Sequence, residues 1–278
     1  MADHEQHEQD SIYWHDAFFE AIQLELHQYE KALEFIGNHP LSKEALKMDA
    51  LVIKKDSDIP VSKNIGRIFK NFNIFEYKSE TVSINEHTYN KSMAYGLLYS
   101  SFTKVPISEI TISIVITKHP RDLLKYLKNE RGFKIEDKGS GLHYVTGDTF
   151  SIQILESKEL SKKENLFLRN LRSNLNSEDA KQVTEAYKEI KPFDEKNVYL
   201  DRLVQANKQA FKEAMIVSEA VRTLFLETAD EEGWLDEWGQ KRDLEKAREI
   251  ARGLKAKKVP WDIIVDTTSL SPQEVEAL

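Results

Sequence analysis

Residues 72–79 read FNIFEYKS, and this short stretch decides the fold. Its aromatic and β-branched residues favour a pleated chain, so it reads as a strand. Side chains alternate along a strand, which puts Glu76 and Lys78 on one face with Phe72 and Ile74, and Asn73, Phe75 and Tyr77 on the other. An acid and a base two residues apart, closing an otherwise apolar strand, are an odd arrangement for a simple core. Upstream, residues 45–55 (ALKMDALVIKK) read as a second strand. Residues 56–66 (DSDIPVSKNIG) between them are turn material, with Pro60 and Gly66.

Outward from this pair, Ser11 to Phe35 has helical spacing through Phe18, Ile22, Leu26, Tyr29 and Leu33. Residues Met1 to Asp10 read as a frayed tail. Downstream, Asn85 to Phe102 has helical spacing through Tyr89, Met93, Gly96 and Leu97. Glu109 to Thr117 (EITISIVIT) is the clearest strand in the chain, and Pro120 suits the first turn of a helix to Glu130. Gly132 to Leu155 holds two or three short strands, broken at Gly139–Gly141 and Gly147-Asp148. The order helix, strand, strand, helix, strand, helix, strands implies an α/β core. Beyond Glu156 the β signal stops. Ser161 and Glu164 form a capping-box pattern before Leu166, Leu168 and Leu171. Helices are expected at Ser177–Ile190, Lys196–Thr228 and Gln240–Lys258, with Ala229–Trp238 as an exposed acidic connector. Ser271, Pro272 and Glu274 mark a last short helix.

The bulk numbers fit one large domain or a domain with a smaller companion. The chain has 278 residues, 40% hydrophobic and 31% charged, a globular balance. No stretch approaches the roughly 20 apolar residues of a membrane helix, and the polar start has no signal-peptide pattern. Cysteine is absent, which excludes disulfides and thiolate chemistry and makes a cytoplasmic setting the expectation. A net charge of −8 argues against a protein that coats nucleic acid by charge alone. It leaves room for an enzyme with one basic face.

If strands 45–55 and 72–79 pair, their backbones lie roughly 4.8 Å apart, and Asp49 and Glu76 can reach one divalent cation. Hard cations such as Mg2+ prefer carboxylate and water oxygens. Lys78 would then stand beside the metal, placed to orient water or to neutralise charge on a phosphate. The plainer reading of Glu76 and Lys78 is a solvated strand end or a surface ion pair, which is usually worth little.

Asp49 followed by Glu76-x-Lys78, after a helix bearing an acid, resembles the PD-(D/E)XK nuclease superfamily. The longer strings resemble the recombination-promoting nuclease / transposase (Rpn-type) family of bacteria. They are PLSKEALKMDALVIKK (40–55), IGRIFKNFNIFEYKS (65–79), YNKSMAYGLLY (89–99), ISIVITKHPRDLLKYL (112–127), GSGLHYVTGDTFSIQILESKELS (139–161), FLRNL (167–171) and the tail EIARGLKAKKVPWDIIVDTTSLSPQEVEAL (249–278).

The resemblance implies a restriction-endonuclease-like mixed sheet of about four strands flanked by helices, with a mostly helical C-terminal half. With the reading of the residues it divides the chain into a disordered tail at 1–10, a nuclease-like α/β domain at 11–158, a helical region at 159–238 and a helical tail at 239–278. It implies hydrolysis of DNA phosphodiesters with Mg2+, or Mn2+ in its place. Asp49 and Glu76 would be metal ligands and Lys78 the catalytic lysine. Glu25, with Glu20 as rival, would be the further acid of the first helix. A DNA- or protein-binding module without turnover is the alternative, and an RNA nuclease a third.

Two departures stand out. Glu80 follows Ser79 where the family has proline, and Thr268-Ser269-Leu270 replaces Thr-Gly-Leu. Lys91 is a further candidate for a phosphate contact, against a plain solvated lysine. His4 and His7 lie in the tail with His15 beyond it, a poor basis for a metal cluster. His119 is expected at a strand-to-helix turn. Residues 241–258 carry eight Lys/Arg against three Asp/Glu. That segment is either part of a helix-turn-helix gripping DNA, with Trp261 in its core, or a charged helix that closes the domain or serves a homo-oligomer.

Overall fold

The computed structural model describes residues 2–37, 51–55, 59–79, 84–192 and 197–278; for 2–13 and 237–243 it describes the helical backbone alone. The chain divides into two compact units, residues 1–221 and 222–278.

The first unit is a mixed α/β structure. It opens with helix α1 (Ala2–Glu25) and a 3-10 turn (His27–Ala32) leading into strand β1 (Leu33–Ile36). Then come β2 (Leu51–Lys55), β3 (Phe72–Lys78), α2 (Glu86–Thr103), β4 (Ile110–Ile116), α3 (Arg121–Asn129), β5 (Lys134–Asp137), β6 (Leu142–Thr146) and β7 (Ser151–Glu156). These strands form one sheet in the order β1-β2-β3-β4-β7-β6-β5. The centre is parallel, β3 with β4 and β4 with β7, and both wings are antiparallel. The all-buried run ITISIVI of β4 sits in the middle, as a strand covered on both faces should.

The strand period sorts the core. Ile74, Ile110, Ile112, Ile114, Ile152 and Ile154 lie on one face, packed by Tyr89, Tyr95 and Tyr99 of α2 and Leu123 and Leu127 of α3. Gly96 lets α2 approach closely, because a Cβ there would stand 2.7 Å from the Phe150 ring and 2.9 Å from Ile112 Cδ1. On the opposite face, the Phe18 ring of α1 stacks on Tyr77 with centroids 4.8 Å apart, and Phe69 meets Phe75 edge-on at 5.7 Å. That face also buries hydrogen-bonded polar side chains. Asn73 donates to Ile53 O and Lys70 O and accepts from Lys70 N and Thr111 Oγ1, and Asn64 exchanges amide bonds with Asn165.

Helices follow β7: α4 (Leu166–Asn170), α5 (Ser177–Ile190), α6 (Val198–Ala206), α7 (Lys208–Ala214) and α8 (Glu219–Glu231), the last crossing the boundary between units. The second unit continues with α9 (Trp234–Ala256), α10 (Trp261–Thr268) and α11 (Pro272–Ala277) around a small core of Ala251, Ile264, Leu270 and Val275.

The fold class is the expected one, a mixed sheet flanked by helices with a helical C-terminal half, but the sheet has seven strands among the described residues instead of about four. Residues 33–36, read as the end of the first helix, form β1, because a short edge strand owes its state to its partner. Here Leu33–Ile36 pairs antiparallel with Val52–Lys55. The long helix expected at 196–228 is interrupted. Asn207 turns its side chain to Leu175 N, Arg172 O and Leu203 O, which ends α6 and starts α7. The connector expected at 229–238 is helix up to Glu231 and again from Trp234. Gly233 takes a left-handed conformation (φ 71°) between them, and Trp234 is buried against Phe225. The box expected at Ser161–Glu164 does not cap α4: Ser161 O accepts from Glu164 N and Asn165 N in a turn, and the cap comes from elsewhere. The box at Ser271–Glu274 is present as read.

Candidate active site at the carboxyl edge of the parallel strands

Glu76 and Lys78 close β3 on the face covered by α2. Glu76 pairs in register with Ile114 of β4, and Lys78 with Ile116. The Glu76 side chain is fully buried, and its Oε1 is in direct ionic contact with Lys78 Nζ. Beyond Lys78, no hydrogen bond reaches either carboxylate oxygen among the described residues. Burial pushes the Glu76 carboxyl above the ordinary carboxylate range, and Lys78, then Lys91, pull it back by less. Lys91 is exposed on α2 with its ammonium 5.3 Å from the centre of the Tyr95 ring, so it acts on the site as a field.

The other expected site residues stand differently. Asp49 lies outside the described residues, two positions before Leu51, which pairs with Phe75. Glu25 is not brought to Glu76. Its Oε1 accepts from Phe167 N at 2.6 Å and Leu168 N at 3.0 Å, and its Oε2 pairs with Lys63 at 2.7 Å. It therefore caps α4, the task expected of Ser161 and Glu164. Burial raises its carboxyl too, against Lys63 and both backbone donors. Glu20, the rival, binds Tyr199 N at 2.7 Å, Tyr187 Oη at 2.7 Å and Lys191 Nζ at 2.8 Å. Both acids of α1 thus dock the helices that follow the sheet.

Beside Lys78 opens a cavity of about 350 Å3, at the carboxyl ends of β3 and β4 and the start of α3. In open α/β sheets ligands bind at this edge. Lys78, Ser79, Thr117, Lys118, His119 and Arg121 line it; Asp122 also does, and it is paired with Arg121 at 3.4 Å. Next to it is a group that sequence reading did not assemble. Glu156 ends β7 in register with Ile116, and its buried carboxylate takes His119 Nδ1 at 2.9 Å from both oxygens and His143 Nε2 at 2.6 Å. His119 occupies the strand-to-helix turn as read, but nothing in its neighbours in sequence announces a partner 37 residues away.

No protein-family model, no curated protein and no solved structure matches the chain.

The donor chemistry sets limits on a metal. Among the described residues no group of three or more His, Asp or Glu side chains is placed to hold one. Glu76, a buried carboxylate with unfilled acceptors, suits a hard cation that keeps most of its waters and takes one or two protein carboxylates. The described residues do not bring three protein ligands together there, the set that a zinc-type ion requires.

Two further expectations resolve here. No helix among the described residues is long and apolar enough to cross a membrane. In the second unit Trp261 is not in the core: it is 45% exposed, with Lys255 Nζ 5.5 Å from its ring centre. The last helix, α11, carries Glu274 and Glu276 and no Lys or Arg. That is the wrong sign for a helix laid on phosphates.

Proposed function

We propose that the chain is a Mg2+- or Mn2+-dependent deoxyribonuclease that hydrolyses DNA phosphodiesters at the Glu76–Lys78 edge of the sheet. The resemblance to recombination-promoting nucleases suggests a role in DNA recombination or transposition. One observation carries the reading: a fully buried carboxylate with unfilled acceptors, in contact with a lysine that lines a cationic cavity at the carboxyl ends of parallel strands. Burying a carboxylate without hydrogen bonds is costly, and function is the common reason for keeping one.

The residues divide the work. Glu76 supplies one carboxylate oxygen to the cation, and Asp49 is the second acid on the resemblance. The bound cation supplies Lewis acidity at a phosphate oxygen and lowers the pKa of a coordinated water. Lys78 holds the attacking water or offsets negative charge growing on the phosphate. Lys118 and Arg121 hold the substrate backbone by charge, and strand and cavity keep Lys78 in place before substrate arrives.

The test is nicking of supercoiled plasmid, with and without Mg2+ or Mn2+, by the wild type and by Asp49→Ala, Glu76→Gln and Lys78→Ala. Metal-dependent nicking is expected. Each variant should lose at least on the order of a hundredfold, as removal of one preorganised charge does. A folded Lys78→Ala that nicks like the wild type sinks the site. A second reading, a DNA-binding module without turnover, is favoured by the engagement of Glu76 with Lys78 and by the lack, among the described residues, of three His, Asp or Glu side chains placed to hold a metal. It predicts DNA retention, indifferent to metal, in a protein that never nicks. Parallel digestion of RNA separates the two substrates.

A further inference from the structure

The group around Glu156 is not used by that reaction. Register places Lys78, Ile116 and Glu156 in one row across β3, β4 and β7, on one face of the sheet. Lys78 and Glu156 are thus two strand spacings apart, roughly 10 Å. His119 comes off the end of β4, between them in strand order, and lines the cavity. Glu156 is 5% exposed, while the His119 side chain is 60% exposed. The carboxylate can only accept, so the His119 nitrogen facing it, Nδ1, carries a proton. This fixes the ring and leaves Nε2 on its far side. His143 Nε2 donates to the same carboxylate, and His143 Nδ1 lies 3.9 Å from Asp137 Oδ1. A carboxylate behind an imidazole orients the ring. With Lys78, Lys118 and Arg121 also on the cavity wall, cations outnumber the one carboxylate, Asp122, which Arg121 already engages. The first turn of α3 adds partial positive charge.

We infer that this cavity is a phosphate-binding site, in which His119, oriented by Glu156 and protonated on both nitrogens when the phosphate is bound, donates from Nε2 to a phosphate oxygen, and Lys78, Lys118 and Arg121 supply the surrounding charge. The ligand class is a phosphodiester or phosphomonoester group. For that class the inference rests on the phosphodiesterase reading, while its test reads binding and not cleavage. His119 is a binding residue and Glu156 a positioning residue.

The experiment follows the imidazole 15N and 1H signals of the full chain in EDTA at constant ionic strength. The probes are dimethyl phosphate and, separately, inorganic phosphate. The His119 signals, assigned by their loss in His119→Gln, should shift in a saturable way. His119→Gln should weaken binding roughly tenfold, as the loss of one charge-assisted hydrogen bond does. That side chain is exposed, so the variant should keep its fold. Glu156→Gln should weaken the His119 response while leaving the backbone amide spectrum intact.

His119 signals that neither probe moves, or wild-type affinity in His119→Gln, overturn the inference. A response to inorganic phosphate alone supports the site and removes the diester as its ligand. Saturable binding of dimethyl phosphate by a protein that never nicks DNA supports the site and overturns only the hydrolase reading. Nicking that depends on Lys78, with His119 unmoved by either probe, overturns the site alone.

Discussion

Glu25 and Glu76 are both buried acids beside a lysine, and burial raises the carboxyl of each, yet the structure uses them in opposite ways. Around Glu25 both carboxylate oxygens are engaged. Two backbone N–H groups at the start of α4 and the ammonium of Lys63 surround it, and α1 is thereby fastened to the helices beyond the sheet. Around Glu76 there is one cation and no further hydrogen bond among the described residues, with a cavity at its lysine. A satisfied buried charge holds a fold together. An unsatisfied one is a cost that the fold bears. Burial and a lysine partner do not by themselves distinguish the two acids; the number of engaged acceptors does.

The largest expected effect follows from the satisfied acid. Glu25→Ala removes the cap of α4 and leaves Lys63 without its partner, so urea denaturation should show a loss of about 3 kcal/mol. A loss below about 1 kcal/mol would mean that the two N–H groups and Lys63 find water as readily as they find Glu25, and the distinction between the two acids would fail.

How much of this was legible in the sequence differs between the acids. The alternation in FNIFEYKS put Glu76 and Lys78 on one face, and the strand made them neighbours, because strand period is a local property. Glu25 was legible as an acid on the first helix and nothing more. Its partners lie 142 and 143 residues away, a distance that helical spacing cannot see. The same holds for Glu156, whose two imidazoles come from a turn and from a neighbouring strand. In the second unit, the missing glycine at position 269 was legible and its consequence was not. Ser269 itself takes the left-handed conformation (φ 56°), so the turn survives at a cost of about 1 kcal/mol. β1 was misread because the apolar positions of 18–33 keep helical spacing past the true end of α1 at Glu25.

The smaller effects concern the unsatisfied acid. Glu76→Leu removes a buried charge that, among the described residues, only Lys78 supports, and Lys78 can turn into the cavity it already lines. In EDTA the variant should match the wild type in stability or exceed it by about 1 kcal/mol. A loss near that of Glu25→Ala would make Glu76 a structural acid like its counterpart.

The pH dependence of that difference is the finest test. In the folded chain the Glu76 carboxyl titrates above its ordinary value near 4.5. The native state therefore holds this proton at pH values where the unfolded chain has released it. Its contribution to stability is complete below the unfolded value and is lost as pH rises through the folded one. The wild type should thus gain stability relative to Glu76→Leu as pH falls from neutral toward 4.5, and the gap between them should close. A gap that widens on acidification would mean that Lys78 holds the carboxylate ionised more strongly than burial opposes it. Glu76 would then be a satisfied ion pair after all.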